Sequence, residues 1–302
     1  MISIIITAFK EPICVAKAIK SIVRPFYSGI PDDFELIQIS PDEETLRSGA
    51  EAASGEKWCR GKYFQIKDPA KGKPFALNLG FKKARGEILI LTDGDVYFDK
   101  GAISHLLSAF HDPKVGGVSG RPISNDPKNT MMGYLGHLLA DAAHHKRSVI
   151  LKNNNMFPLS GYIMAIKNIG FILPENCLAD DAYISYFLFN NGYKLKYQPE
   201  ARSFVKYPKT LSDYFKQKQR SLGGYVQLFE YGVVRKETIS RSFFQELQYF
   251  WFPLKYATNF KELYWSLLFY PIRFITWLKI WWDRKILNKS FKSTWVRIES
   301  TK

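Results

Sequence analysis

Glu87-Ile88-Leu89-Ile90-Leu91-Thr92-Asp93-Gly94-Asp95 is the stretch on which the reading of this chain turns. An aliphatic run closing on two carboxylates separated by glycine describes a strand buried on both faces that ends, at a sheet edge, in hard oxygen ligands. A divalent cation held there would bridge the carboxylates to a diphosphate, so the stretch points to a nucleotide substrate. Asp93 and Asp95 flanking a glycine are also the composition of an ordinary turn, and the surrounding sequence has to decide between the two.

Outward from this strand, short apolar runs alternate with helical stretches, the pattern of a parallel sheet covered by helices. Strands are predicted at Ile2–Thr7, Phe34–Ser40, Tyr63–Ile66, Glu87–Thr92, Val115–Gly120, Tyr162–Ile166 and Lys194–Gln198. Pro12–Val23 and Pro74–Ala84 read as helices with proline in the first turn, and Leu77, Phe81 and Ala84 make a core stripe on the second. Near Tyr207 the alternation ends. Thr210 with Asp213 resembles a capping box opening a helix to about Leu222, before Gly223-Gly224. The expected organisation is an α/β domain over residues 1–206 and a helical, aromatic-rich region over 207–302.

The chain has 302 residues and a 46% apolar fraction, enough for a sizeable core and unlike a disordered chain. Cys14, Cys59 and Cys177 are too few and too scattered for a disulfide framework or a zinc clip, which fits a reducing compartment. The first strand begins at Ile2 with no secretory signal pattern before it. The five histidines, His105, His111, His137, His144 and His145, form no metal-ligand spacing and read as structural or exposed. Val149–Pro158, with Asn153-Asn154-Asn155, reads as a loop, either beside an acceptor entrance or as a plain surface connection.

Charge is concentrated at the C-terminal end. Residues 207–302 hold 17 Lys or Arg against 7 Asp or Glu, a net +10, leaving +5 of the total +15 for the rest. Six of the seven tryptophans lie there too: Trp251, Trp265, Trp277, Trp281, Trp282 and Trp295. Basic and aromatic residues interleaved in this way suit nucleic acid or an anionic membrane surface. With no nucleic-acid recognition motif beside them, the membrane is the expected partner. Leu263–Trp282 is mostly apolar, but Pro271, Arg273 and Lys279 argue against a span, since a mid-helix charge costs about 2.5 to 3.5 kcal/mol. On a helical wheel Glu262, Ser266, Arg273, Thr276, Lys279 and Asp283 fall within an arc of about 140°. A helix lying in the lipid interface accounts for that polar stripe. The competing expectation is a helix packing a broad apolar face on the catalytic domain.

Polar residues that a fold alone does not require follow the strands in turn: Thr7, Phe9 and Glu11, then Asp42, Lys73, Asp93 with Asp95, Asp180 with Asp181, and Gln217 with Arg220. In open α/β sheets ligands lie beyond the carboxyl ends of the strands, so these loops are expected to line one cleft. Ile4-Ile5-Ile6-Thr7-Ala8-Phe9-Lys10-Glu11 and Gly72-Lys73-Pro74-Phe75-Ala76-Leu77-Asn78-Leu79-Gly80, followed by Asp93-Gly94-Asp95, resemble the motif succession of family 2 inverting nucleotide-sugar glycosyltransferases. That group contains cellulose and hyaluronan synthases and polyprenyl-phosphate sugar transferases, and the resemblance covers roughly Ile2 to Leu222. It implies a GT-A fold, with a mostly parallel sheet flanked by helices.

What the resemblance implies residue by residue is specific. Asp95 would be the principal ligand of a Mg²⁺ or Mn²⁺ ion, with Asp93 beside it on metal or nucleotide. Lys73 would place a point charge near uracil or phosphate, unless it is a solvated lysine among Lys71, Lys82 and Lys83. Thr7, Phe9 and Glu11 would hold the base. Ala179-Asp180-Asp181 matches the family's acidic motif and makes Asp181 the general base, with Asp180 on the donor side; an N-cap role is the alternative for one of the pair. Gln217 and Arg220 match the first and fourth positions of the family's Gln-x-x-Arg-Trp motif, in which arginine contacts diphosphate. Ser221 replaces the tryptophan, which removes the stacking platform of processive synthesis and favours single-sugar transfer. Ser40-Pro41-Asp42-Glu43-Glu44-Thr45 is shorter than the family's run, leaving Asp42 either a uracil contact or a helix cap.

The resulting expectation is a metal-dependent enzyme that moves a sugar from a UDP-linked donor to a lipid-linked or glycan acceptor. It would act at the cytoplasmic side of the cell membrane, as a peripheral or monotopic protein. A noncatalytic nucleotide- or carbohydrate-binding protein of the same fold is the alternative; nucleic-acid binding ranks third.

Overall fold

The structure is a computed structural model that describes residues 1–152, 156–234, 246, 249–286 and 301. By internal packing the chain forms two compact units, Met1–Ile123 with Leu151–Val205, and Ser124–Ile150 with Lys206–Lys302. The segment 124–150, which the sequence division at 206/207 places in the first domain, packs with the second unit.

The first unit is built on an eight-stranded sheet of order β3-β2-β1-β4-β7-β6-β8-β5. Its strands are β1 Ile2–Thr7, β2 Phe34–Ser40, β3 Tyr63–Lys67, β4 Ile88–Asp93, β5 Tyr97–Phe98, β6 Val115–Ser124, β7 Met164–Lys167 and β8 Lys194–Val205. The half β3-β2-β1-β4 is parallel, whereas β7 runs antiparallel to both β4 and β6, so the sheet is mixed. β1 and β2 are buried along their whole length, which is why they read as continuous apolar runs. Parallel pairing gathers the carboxyl ends of β1, β2, β3 and β4 along one edge. There Thr7 lies level with Ile39 on one side and Asp93 on the other.

Three helices set the loops at that edge. α1, Pro12–Ile22, starts on Pro12 and buries Val15, Ala18, Ile19 and Ile22, one face of a 3.6-residue period. After α2 (Pro25–Ser28), α3 spans Glu43–Ser54 and is capped by Asp42, which accepts from the Thr45 N–H at 2.9 Å. α4, Lys73–Lys83, follows Gly72 at φ 101°, a backbone conformation that favours glycine. It buries Leu77 and Phe81, while Ala84 falls at its C-cap rather than on the core stripe. Gly80 lets α4 approach the sheet, since a Cβ there would meet Ile39 and Ile5 methyls at 2.9 Å. α5, Ala102–Ser108, and α7, Asp180–Asn190, complete this unit.

The second unit contains α6 Met131–Lys152, α8 Leu211–Glu230, α9 Phe252–Tyr256 and α10 Phe260–Lys285. Its core joins Tyr134, Leu135 and Leu138 of α6 to Tyr214 of α8 and to Phe269 and Ile272 of α10. α6 corrects the expected loop at Val149–Pro158. Val149 to Lys152 close the helix, Met156 and Phe157 are buried, and Asn153–Asn155 lie outside the described residues. Thr130 caps α6 by accepting from the Gly133 N–H at 3.1 Å. α8 is capped by Thr210 accepting from the Asp213 N–H at 3.2 Å, as the capping box predicts. It does not stop at Gly223-Gly224 but continues to Glu230, with both glycines buried. Each glycine costs about 1 kcal/mol of helix propensity, which tertiary packing here outweighs.

Among the described residues no helix is long and apolar enough to cross a membrane. Part of the expected polar stripe of α10 is turned into the second unit, with Glu262, Ser266 and Thr276 buried and Lys279 exposed. Ser266 bonds the Tyr134 hydroxyl at 2.7 Å, and Arg273 pairs with Glu246 and donates to the Tyr214 hydroxyl. Phe269 and Ile272 are buried beside these polar residues, so the inward face of the helix is mixed. Trp295 lies outside the described residues.

Candidate functional site

The edge at the ends of β1, β2, β3 and β4 collects the acidic and loop residues of the first unit. Thr7 ends β1 and donates its hydroxyl to Asp93 Oδ1 at 3.1 Å across the β1–β4 pair. The Gly94 N–H donates to the Thr7 carbonyl at 2.9 Å. The role of Gly94 is close approach, because a Cβ there would sit 2.6 Å from the Ala8 Cβ and 3.1 Å from Glu11 Oε2. The glycine between the two acids thus lets the β4 turn press against the loop that follows β1.

That loop is pinned from its other side by α3. Asp42 Oδ2 accepts from the Lys10 N–H at 2.7 Å and from the Ser40 hydroxyl at 3.0 Å, while Oδ1 caps α3. The Thr45 hydroxyl accepts from the Glu11 N–H at 2.9 Å, and the Ser48 hydroxyl donates to the Pro12 carbonyl at 2.6 Å. Of the two roles open to Asp42 in the sequence, the structure displays the cap, extended into a clamp on the loop. Lys10 adopts φ 53°, a left-handed conformation unfavourable to a residue with a Cβ, and the Asp42 contact helps hold it there. These contacts keep the Asp42 carboxyl below the usual carboxylate range against the opposing effect of desolvation. Phe9 is half-buried and Glu11 buried in the loop so formed.

A chain of charges crosses from β4 to α7. Lys73, the first residue of α4, places Nζ 2.7 Å from Asp93 Oδ1 and 3.3 Å from Asp180 Oδ2. Loss of water works against this ammonium, but Asp180 and Asp93 outweigh it and the Lys73 pKa is raised. Lys73 is not a solvated surface lysine: its side chain is 22% exposed.

Neither acid of the Asp180-Asp181 pair is an N-cap, since Ala179 holds that position and both acids fall in the first turn of α7. Asp181 Oδ2 accepts from the Gly161 N–H at 3.1 Å and Oδ1 from the Ala182 N–H at 2.8 Å. The Gly161 loop is itself fixed: Leu159 N–H donates to the Ser185 hydroxyl, which donates to the Asp181 carbonyl, and Ser160 N–H donates to the Ser119 hydroxyl. Desolvation, followed by the neighbouring Asp180 charge, raises the Asp181 pKa, with Lys73 and the two N–H groups opposing. A carboxyl so placed is a stronger base than an aspartate in water.

Asp95 is half-buried beside Asp93. Two carboxylates separated by one residue are a hard-oxygen donor pair, suited to Mg²⁺ or Mn²⁺ when substrate phosphates and water complete the coordination shell. Among the described residues no cluster of three or more His, Cys, Asp or Glu forms a metal cage.

Several residues at this edge carry no signal in the sequence. Asp68, buried after β3, has its carboxyl pKa raised by desolvation and the Asp42 charge, although the Ala70 N–H donates to it at 2.8 Å. Burial raises the Tyr97 pKa, and its bond with Cys14 and the nearby Asp95 and Glu11 charges add to this. Both arrive by strand pairing rather than by motif. Gln217 and Arg220, half-exposed on α8, belong to the second unit, and their expected role rests on their spacing in the sequence.

The sequence profile of the family described as glycosyltransferase like family 2 matches residues 1–224. The chain belongs to the glycosyltransferases of that family. It is 27% identical over 206 residues to the poly-β-1,6-N-acetyl-D-glucosamine synthase of Staphylococcus aureus strain COL, covering 64% of this chain and 45% of the relative. It is 25% identical over 231 residues to a Bacillus subtilis protein named probable glycosyltransferase YdaM, covering 72% of this chain and 54% of that one. The chain therefore spans about half the length of the curated relatives it matches. Among solved structures, the mannosyltransferase PcManGT of Pyrobaculum calidifontis, in complex with GDP-Man and Mn²⁺, superposes with a TM-score of 0.61 at 16% identity. That match covers 97% of this chain and 82% of the other, and the shared fold is the GT-A fold.

Proposed function

We propose that the chain is a divalent-cation-dependent inverting glycosyltransferase that takes a sugar from a nucleotide-sugar donor, UDP-linked in our reading. The acceptor is lipid-linked or glycan, transfer is non-processive, and the site of action is the cytoplasmic membrane face. The observation that carries the proposal is the charge relay at the sheet edge, in which Lys73 ties Asp93 to Asp180 while Asp181 is oriented by two backbone N–H groups. An inverting displacement needs one positioned carboxylate for the acceptor hydroxyl, and a cation-binding edge would stabilise the departing diphosphate.

In this reading Asp95 and Asp93 would hold Mg²⁺ or Mn²⁺, which when bound neutralises charge on the departing nucleoside diphosphate. Thr7, Phe9 and Glu11 line the base side, on a loop that Asp42 holds in shape. Asp181 accepts the proton of the acceptor hydroxyl as its oxygen bonds the anomeric carbon. Its raised pKa gives that transfer a larger driving force than an exposed aspartate would. Asp180 and Lys73 sit beside it on the donor side. For Gln217 and Arg220 the proposal rests on the sequence motif alone. Ser221, in place of an aromatic platform, supports transfer of one sugar per acceptor.

The N-acetyl-D-glucosamine polymer in the staphylococcal relative's name makes an N-acetylhexosaminyl donor the first to try. The test is a panel of UDP- and GDP-sugars, followed by thermal shift and by donor hydrolysis with and without Mn²⁺. A donor that stabilises the chain and is slowly hydrolysed only with the cation supports the proposal. Binding without turnover across the panel, acceptors included, overturns it.

A further inference from the structure

α10 keeps a mixed face inside and an apolar one outside. Ser266 and Thr276 are 0% and 1% exposed and Glu262 accepts from both the N–H and the hydroxyl of Thr258, while Phe269 and Ile272 between them join the core of the second unit. On the opposite side Phe260, Tyr264, Leu267, Phe274, Leu278 and Trp282 are between 48% and 92% exposed. At about 100° per residue these six fall within an arc of about 80°, directly across from the buried arc. They run almost the whole length of a 26-residue helix, about 39 Å at 1.5 Å per residue. A continuous apolar strip of that length is more than the scattered exposed apolar residues normal for a soluble surface.

We infer that this outward face of α10 is seated in the headgroup and upper acyl region of an anionic lipid surface, with the helix lying in the membrane plane. The inference rests on the membrane-face reading above and assigns its surface. Three observations choose lipid over a second copy of the chain. Residues 207–302 carry a net +10, so self-pairing through this face would bring like charges together, whereas anionic headgroups complement them. The exposed face also carries Tyr264 and Trp282, side chains that favour the water–lipid boundary. Pro271, exposed on the same side, leaves the Leu267 carbonyl without its helical donor, which is tolerable at headgroup depth and costly in hydrocarbon.

The experiment is co-sedimentation of the full chain with vesicles of phosphatidylcholine alone and with vesicles containing about 30% phosphatidylglycerol. The parent is expected to pellet with the anionic vesicles. A variant combining Phe274→Ser, Leu278→Ser and Trp282→Ser should lose binding by about tenfold or more, while Phe26→Ser, an exposed aromatic of the first unit, binds like the parent. Equal binding by the triple variant overturns the face assignment and leaves the membrane location standing. A parent that stays in the supernatant with both vesicle types overturns both. A parent dimer in solution that the triple variant dissociates, with no vesicle binding, assigns the face to a second copy. Should the triple variant fold poorly, tryptophan quenching by brominated acyl chains replaces it: quenching that is unchanged in Trp282→Phe counts against the inference, and reduced quenching supports it.

Discussion

Lys73 Nζ stands 2.7 Å from Asp93 Oδ1, so a carboxylate of the Asp-Gly-Asp turn already holds a protein cation, and the same ammonium reaches Asp180 Oδ2 at 3.3 Å. One lysine therefore couples the end of β4, where the nucleotide diphosphate is proposed to sit, to the first turn of α7, which carries the proposed base. Replacing it by methionine would leave Asp93 and Asp180 without the charge that both contact, and would remove a positive charge that acts on Asp181. Lys73→Met is expected to weaken donor binding and to lower kcat/KM by about 10² or more, with Lys73→Arg retaining part of both. Isothermal titration with donor and Mn²⁺, beside steady-state rates, checks this; parent-like values in Lys73→Met would leave the lysine a bystander.

The pH dependence follows from Asp181. Its pKa is raised by desolvation and by Asp180, and is held down by Lys73. As the proposed base, Asp181 would act in its ionised form, so kcat/KM should fall on the acid side through an apparent pKa above the ordinary aspartate value of about 3.9. Lys73→Met removes a charge that favours the anion, so its acid limb should move to higher pH. A limb that stays in place in the variant would separate Lys73 from the base.

Asp181→Asn keeps the side-chain volume but cannot accept a proton. Transfer should drop by about 10² to 10⁴ while nucleotide binding stays within a fewfold of the parent, since the carboxylate is held by the Gly161 and Ala182 N–H groups and an asparagine of the same shape can keep at least one of these bonds. Single-turnover rates and donor titration on the same preparation test it. Full activity would remove Asp181 from the base role.

How much of this was legible depended on whether the signal is local. β1, β2 and β4 are buried on both faces, so their composition betrays them, and Pro12 and Pro74 mark where α1 and α4 begin. The strand at β7 was legible, but its antiparallel place between β4 and β6 was not, because strand order is set by pairing between residues far apart in the chain, such as Leu91 and Met164. α6 was missed although Thr130 caps it and Tyr134, Leu135 and Leu138 make its stripe; glycines at 133 and 136 disguise the period. At the site, the Asp-x-Asp and Asp180-Asp181 motifs stood out, whereas Asp42 displayed its clamp on Lys10 only once α3 had brought it beside the loop. Which side of α10 lies inside was invisible for a physical reason: a wheel shows that two faces differ, and only packing shows which one is covered.

Away from the site, Glu35 anchors the opposite end of the sheet. It is 1% exposed and accepts from the Ser3 hydroxyl at 2.7 Å, the Arg85 N–H at 2.6 Å and the Arg85 guanidinium at 2.9 Å. Desolvation disfavours its charge, but these donors lower its pKa below the usual glutamate value. A carboxyl lowered on folding adds stability above its unfolded pKa of about 4.3, and loses it as pH falls through the folded value. Glu35→Ala should lower stability by about 1 to 3 kcal/mol at pH 7, with the gap to the parent narrowing in acid. Thermal unfolding at pH 7 and pH 4 checks both the size and the sign.

Gly94 offers the most direct test that the acidic turn and the loop after β1 act as one device. Its backbone N–H holds the Thr7 carbonyl, and the absence of a side chain is what lets the turn reach Ala8 and Glu11. A methyl group at this position must push the loop away by a few tenths of an ångström at least, because Ala8 contributes its own Cβ at 2.6 Å and cannot rotate aside. That displacement would shift Phe9 and Glu11 away from Asp93 and Asp95 without altering any carboxylate. Gly94→Ala is therefore expected to raise KM for the donor by about tenfold or more, with a smaller change in the rate of the bound complex. If kcat falls instead while KM holds, the turn acts on the transferring sugar and not on donor binding, and the nucleotide role of the loop after β1 has to be given up.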